Sequence, residues 1–141
     1  MEDSSRGEIS PIPQRSLMPR IVIIDDSKLV RDFIFRTLEG AGHSALSINP
    51  ISLFDVLKAT RDFKPEVVIT DFHMPTCSAE SLVRAFREDP MLGGVKILVL
   101  TARHDGEMVD RMLNRGVDAF VFKGNTTLLL DRIKELTDLT S

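Results

Sequence analysis

The strongest constraint on how this chain can fold is an alternation along it. Short β-rich apolar runs trade places with stretches in which apolar residues recur at helical spacing. Strands are predicted at 20–25, 44–48, 66–70, 95–100 and 117–122. Ile21-Val22-Ile23-Ile24, Val67-Val68-Ile69 and Ile97-Leu98-Val99-Leu100 are continuously apolar, as central strands covered on both faces must be. The second and fifth runs are more mixed and belong nearer the edges. Between them, Leu29, Val30, Phe33, Ile34 and Leu38 mark helix 1, with Gly40 and Gly42 to stop it. Asn49-Pro50 offers a cap and first-turn proline for helix 2, with Ile51, Phe54 and Leu57 as its buried stripe. Leu82, Val83 and Phe86 mark helix 3, and Met108, Met112 and Leu113 mark helix 4, which Gly116 can end in a left-handed conformation. Leu129, Leu130, Ile133 and Leu136 mark helix 5. Strand and helix in strict alternation imply parallel strands joined by crossover helices, an α/β (βα)5 doubly wound sheet.

Residues 1–19 lack any sustained apolar period and are broken by Pro11, Pro13 and Pro19, so they are predicted to be a flexible N-terminal tail before a single domain over 20–141. They hold no apolar segment of signal-peptide type, and no run in the chain is long enough to span a bilayer. One cysteine, Cys77, cannot form an internal disulfide. These features predict a cytoplasmic protein without membrane insertion. A formal net charge of −3 supplies no general field for nucleic acid, so no direct nucleic-acid contact is expected.

In an open parallel sheet the carboxyl ends of the strands meet at one crevice. Here those ends carry Asp25-Asp26, Asp71, Thr101 and Lys123. Three carboxylates held together must take up protons or recruit a cation, and an all-oxygen site with room for water suits Mg²⁺. With Lys123, such an ion would neutralise three ionised aspartates and admit an incoming phosphoryl group. Asp71 stands alone at its strand end and is the natural nucleophile, whereas the Asp25-Asp26 pair is suited to holding metal.

Four segments, in this order and spacing, carry a resemblance. They are Ile23-Ile24-Asp25-Asp26-Ser27, Val67-Val68-Ile69-Thr70-Asp71-Phe72-His73-Met74-Pro75, Leu98-Val99-Leu100-Thr101-Ala102 and Gly116-Val117-Asp118-Ala119-Phe120-Val121-Phe122-Lys123. Over residues 20–139 the chain resembles the receiver domains of two-component response regulators. The resemblance implies a flavodoxin-like strand order, 2-1-3-4-5, and a signalling domain rather than an enzyme, at most catalysing its own phosphorylation and dephosphorylation. It implies that Asp71 accepts a phosphoryl group from a phosphohistidine on a sensor histidine kinase or histidine phosphotransfer protein. Asp25, Asp26 and Asp71 would hold Mg²⁺ with the backbone carbonyl of His73, and Lys123 would pair with phosphoryl oxygens. Thr101 and Phe120 would switch the surface of helix 4, strand 5 and helix 5, which a downstream target or a second copy would read, the latter as a phosphorylation-dependent homodimer. The stretch after helix 5 is short, which fits a stand-alone receiver of the chemotaxis-adaptor or phosphorelay kind and equally a fragment of a longer regulator.

The chain departs from that pattern in places. Gly124 follows Lys123 where the family usually has proline after a cis bond, and a cis bond before a non-proline residue costs about 2.5–4 kcal/mol. The loop Thr76-Cys77-Ser78-Ala79 lacks the usual glycine. His73 and Arg103 occupy positions where side chains tune access of hydrolytic water, so the phosphoryl lifetime is expected to differ. Gly124 keeps open a degenerate receiver that works only as a phosphorylation-independent interaction module. A phosphohydrolase would need an acid where His73 stands, and a cofactor-binding relative would need a phosphate-cradling loop where Asp25-Asp26 stands. His43, His73 and His104 have no metal-ligand spacing, Cys77 reads as an ordinary loop thiol, and Arg111 and Arg115 read as a solvated helix face.

Overall fold

The computed structural model describes residues 18–75, 77–103 and 105–138. Five strands alternate with five helices: β1 Arg20–Ile24, α1 Lys28–Gly40, β2 Ser44–Ile48, α2 Leu53–Phe63, β3 Val67–Asp71, α3 Ala79–Glu88, β4 Lys96–Thr101, α4 Gly106–Asn114, β5 Ala119–Phe122 and α5 Thr126–Asp138. The strands form one parallel sheet in the order β2-β1-β3-β4-β5. The expected fold class and strand order are both found. The expected tail falls almost wholly outside the described residues. Its last member, Pro19, accepts a hydrogen bond from the Ser44 amide at 2.9 Å.

Successive strand side chains point to opposite faces. On one face Val22, Ile24, Val68, Ile97 and Val99 pack against Val56 of α2, Leu82, Val83 and Phe86 of α3, and Met108 and Met112 of α4. On the other, Ile21, Ile23, Ile69, Leu98, Leu100 and Val121 pack against Ile34 and Leu38 of α1 and Leu129, Ile133 and Leu136 of α5. Two cores on opposite faces explain why the central strands are apolar without interruption.

The expected start and buried stripe of helix 2 are corrected, while helices 1 and 4 form as expected with part of their apolar faces uncovered. Helix 2 is capped by Ser52, whose hydroxyl accepts from the Asp55 amide at 3.1 Å. Asn49-Pro50 therefore lies before the helix, and Ile51 and Phe54 are each 70% exposed while Val56 is buried. In α1, Ile34 and Leu38 enter the core, whereas Leu29 and Phe33 stay exposed along a groove of about 410 Å³ between α1 and α5. In α4, Met108 and Met112 are buried but Leu113 is exposed. An apolar stripe fixes which side of a helix is greasy, not how much of it the sheet can cover. Helix 4 ends as expected, with Gly116 at φ +107°.

Candidate functional site

Strand parity decides which of the candidate residues face each other. Ile21, Ile23 and then Asp25 alternate onto the α1/α5 side, as do Val67, Ile69 and Asp71, and also Ala119, Val121 and Lys123. The β1–β3 register, Ile24 opposite Thr70, then sets Asp25 beside Asp71. Ile97, Val99 and Thr101 alternate onto the opposite side, which Phe120 shares. Asp71 and Thr101 are the last residues of their strands rather than the first beyond them. Asp25, Asp71 and Lys123 thus converge, with Thr101 and Phe120 behind them across the sheet.

Lys123 Nζ lies 2.9 Å from Asp71 Oδ1 and 3.8 Å from Asp25 Oδ2. Asp25, Asp26 and Asp71 each present a carboxylate oxygen within 4.8 Å of the others. Asp25 and Asp71 are buried and Asp26 is exposed. Asp25 Oδ1 accepts from the Ser27 amide at 2.9 Å, while its Oδ2 has no hydrogen bond. A buried carboxylate oxygen lacking a donor, beside two further carboxylates, is an oxygen donor set that fits a hard divalent cation.

Burial raises the Asp25 pKa above its ordinary value, the Ser27 amide opposes this, and Asp71 and Asp26 add to the rise against the pull of Lys123. For Lys123, burial disfavours the ammonium. The hydrogen bond and charge of Asp71, with the charges of Asp25 and Asp26, outweigh it and raise the pKa. The Asp25 charge therefore costs stability above the raised folded pKa, and the cost disappears as pH falls toward the unfolded value of 3.8. Asp25→Asn keeps an oxygen for the Ser27 amide and removes the charge. In metal-free buffer it is expected to raise the unfolding free energy by about 1 kcal/mol at pH 7. Urea titrations at pH 7 and pH 4 check this, with the advantage over wild type shrinking at the lower pH.

The Lys123-Gly124 bond is trans, as every described peptide bond is. The ammonium reaches Asp71 nonetheless, because a turn takes the place of the family's usual cis bond before proline. Asn125 N–H donates to the Phe122 carbonyl at 3.2 Å with Gly124 at φ +91°, a value that glycine adopts without strain. Asn125 then caps α5 by accepting from the Leu128 amide at 3.1 Å.

Thr101 is buried, and its hydroxyl donates to the Arg103 carbonyl at 2.9 Å rather than facing Asp71. Phe120 is half-buried against the α3/α4 core. His73 is exposed in the β3–α3 loop with its ring edge-on to Phe72 at 4.8 Å. Cys77 is buried, which raises its pKa. Arg111 and Arg115 are less free than a solvated face implies, since both pair with Glu80, at 3.2 and 3.3 Å. His104 lies outside the described residues. Sequence reasoning passed over Arg31, whose guanidinium Nη1 donates to the Asp25 backbone carbonyl at 2.7 Å.

A family model described as the response regulator receiver domain matches residues 21–134. The DNA-binding response regulator MtrA of Mycolicibacterium smegmatis is 30% identical over 108 residues, 77% of this chain and 45% of that protein. Hybrid signal transduction histidine kinase D of Dictyostelium discoideum is 26% identical over 105 residues, 74% of this chain and 7% of that protein. The chain therefore spans less than half the length of either relative. Among solved structures, Vibrio cholerae chemotaxis protein CheY4 superposes with a TM-score of 0.78 at 23% identity, covering 84% of this chain and 98% of that one. A CheY-like receiver domain protein from Methanospirillum hungatei gives 0.76 at 24% identity, covering 86% and 94%. These two structural likenesses bear on the fold alone.

Proposed function

The chain belongs to the response regulator receiver domain family, and from that premise we propose that it takes a phosphoryl group from a phosphohistidine onto Asp71 and so controls a partner protein. The observation that carries the reading is the ammonium of Lys123 at 2.9 Å from Asp71, beside three carboxylates whose oxygens lie within 4.8 Å of one another. In the reaction an Asp71 oxygen attacks phosphorus in line with the donor imidazole. The new P–O bond forms as the P–N bond breaks, and that electron pair returns to the ring nitrogen. Asp25, Asp26 and Asp71, with the His73 backbone carbonyl, would hold Mg²⁺. Its role there is to offset the negative charge of the carboxylates and of the arriving phosphoryl oxygens.

The rest falls to the chain itself. Lys123, kept charged by its acidic neighbours, leaves Asp71 Oδ1 for a phosphoryl oxygen. Thr101 must give up the Arg103 carbonyl to donate to the same group. Because Thr101 and Phe120 share one side of the sheet, movement of the first frees space for the second. That couples the acidic site to the α4–β5–α5 surface. A sensor histidine kinase or phosphotransfer protein would supply the phosphoryl group in the cytoplasm. A downstream protein or a second copy would read the surface.

The test is incubation of the full chain with Mg²⁺ and a small acyl or amide phosphodonor, read by intact mass. Wild type is expected to gain one phosphoryl group, and Asp71→Asn or addition of a chelator to abolish the gain. No gain in wild type would favour a phosphorylation-independent interaction module, while persistence in Asp71→Asn would refute the acceptor.

A further inference from the structure

The Asp25-Asp26 peptide must be held still if Asp26 is to aim at a cation, and few groups are available to hold it. Asp25 is 1% exposed, so bulk water does not reach it. Its amide makes only a long bond to the Ile48 carbonyl at 3.4 Å, and its carboxylate takes the Ser27 amide at 2.9 Å. Neither contact fixes the plane of the following peptide. The carbonyl of Asp25 does, and it accepts a 2.7 Å bond from Arg31 Nη1. Asp26 is exposed, so the direction of its side chain depends on the backbone beneath it.

Arg31 is well placed for this. Ser27 caps α1 by accepting from the Val30 amide at 3.3 Å, and the Arg31 amide donates to the Ser27 carbonyl at 2.9 Å. The guanidinium therefore springs from the first full turn of a helix anchored on the same acidic loop. It reaches back over Ser27 to the carbonyl that precedes Asp26. A charge-assisted bond to a carbonyl is among the stronger neutral-acceptor contacts.

We propose that Arg31 is a positioning residue for the divalent cation. It clamps the Asp25-Asp26 peptide so that the Asp26 carboxylate meets those of Asp25 and Asp71. The idea rests on the cation-binding reading of the acidic site. It makes a prediction opposite in sign to simple electrostatics, because removing a positive charge near a cation site should tighten binding. Loss of a clamp should weaken it, and groups that orient metal ligands from behind typically contribute about 10–100-fold in affinity.

The experiment compares full-length wild type, Arg31→Met and Arg31→Lys by calorimetric titration with Mg²⁺ alone and by urea unfolding without metal. Phosphorylation by a small phosphodonor is followed across a range of Mg²⁺ concentrations. Arg31→Met is expected to bind Mg²⁺ about tenfold more weakly. Its phosphorylation rate should recover at saturating Mg²⁺, and Arg31→Lys, which still offers a donor, should regain most of the affinity. Unchanged or tighter binding in Arg31→Met overturns the proposal. So does a loss of the metal-free fold, or of rate at saturating Mg²⁺, since the residue would then support the structure rather than the ligand. If wild type itself fails to bind Mg²⁺, the reading of the whole site falls and this inference with it. Binding by wild type with no change in Arg31→Met sinks the inference alone.

Discussion

Arg87→Ala is expected to lower the unfolding free energy by about 3 kcal/mol, roughly 10 °C in Tm for a domain of this size. The guanidinium leaves the end of α3 and ties together two loops that join other elements. Its Nη1 donates to the Gly93 carbonyl at 2.9 Å and to the Val95 carbonyl at 2.6 Å, ahead of β4. Its Nε donates to the Gly116 carbonyl at 3.1 Å, and Nη2 pairs with Asp118 at 3.0 Å, ahead of β5. Asp118 in turn accepts from the Ile97 amide at 2.8 Å. Truncation orphans three carbonyls and strips the counter-charge from a carboxylate that keeps its bond from the Ile97 amide, and each unsatisfied polar group costs about 1–3 kcal/mol where water is scarce. The Arg87 and Asp118 side chains are 24% and 29% exposed, so water recovers part of the loss, which is why the total stays near the low end. Urea unfolding checks it, with exposed Arg84→Ala as a control expected to stay within about 0.5 kcal/mol of wild type.

Gly116 makes the same point from the other side. Its φ of +107° costs an L-residue about 1–2 kcal/mol, and an added Cβ would stand 2.7 Å from Arg87 Nε. Gly116→Ala should therefore lose more in wild type than in an Arg87→Ala background, where the clash is gone. Equal losses in both backgrounds would show that the arginine is not held against the glycine.

Lys123→Met is expected to slow phosphorylation by a small phosphodonor about 100-fold at saturating Mg²⁺, the scale seen when one donor to a developing anion is removed. The same change leaves two buried carboxylates with no ammonium. Because the lysine side chain is 33% exposed, the metal-free stability should fall by about 1–2 kcal/mol, less than for a fully enclosed pair. The raised pKa gives the pH dependence: the lysine's contribution is complete below the unfolded value of 10.5 and is lost as pH rises through the higher folded one. The wild-type advantage should therefore hold across neutral pH and vanish only in strong alkali. A phosphorylation rate in Lys123→Met equal to wild type would remove the lysine from the reaction.

Much of the fold was legible because its causes are local. Apolar runs at 21–24, 67–69 and 97–100 have no stable place except between two helical layers, and five strands alternating with helices leave few topologies. The acidic cluster was legible for a related reason. Residues that end parallel strands are brought to one edge whatever the intervening helices contain, so Asp25, Asp26, Asp71 and Lys123 meet there. The start of α2 was misplaced by three residues because Asn49-Pro50 and Ser52 are both credible caps, and in the structure it is the Ser52 hydroxyl that accepts from the Asp55 amide.

The order of residue types thus determined the layers, the sheet and the identity of the groups at its rim, since these depend on periodicity and on where strands stop. The reach of Lys123 to Asp71 through a trans bond and a glycine turn was decided only in three dimensions. So were the grip of Arg31 on the Asp25 carbonyl and the ties from Arg87 to Gly93, Val95 and Gly116. The physical reason is common to all three. Each long side chain ends on backbone or on a distant carboxylate, and backbone carbonyls look alike in every residue, so no pattern of letters can say which one will be within reach.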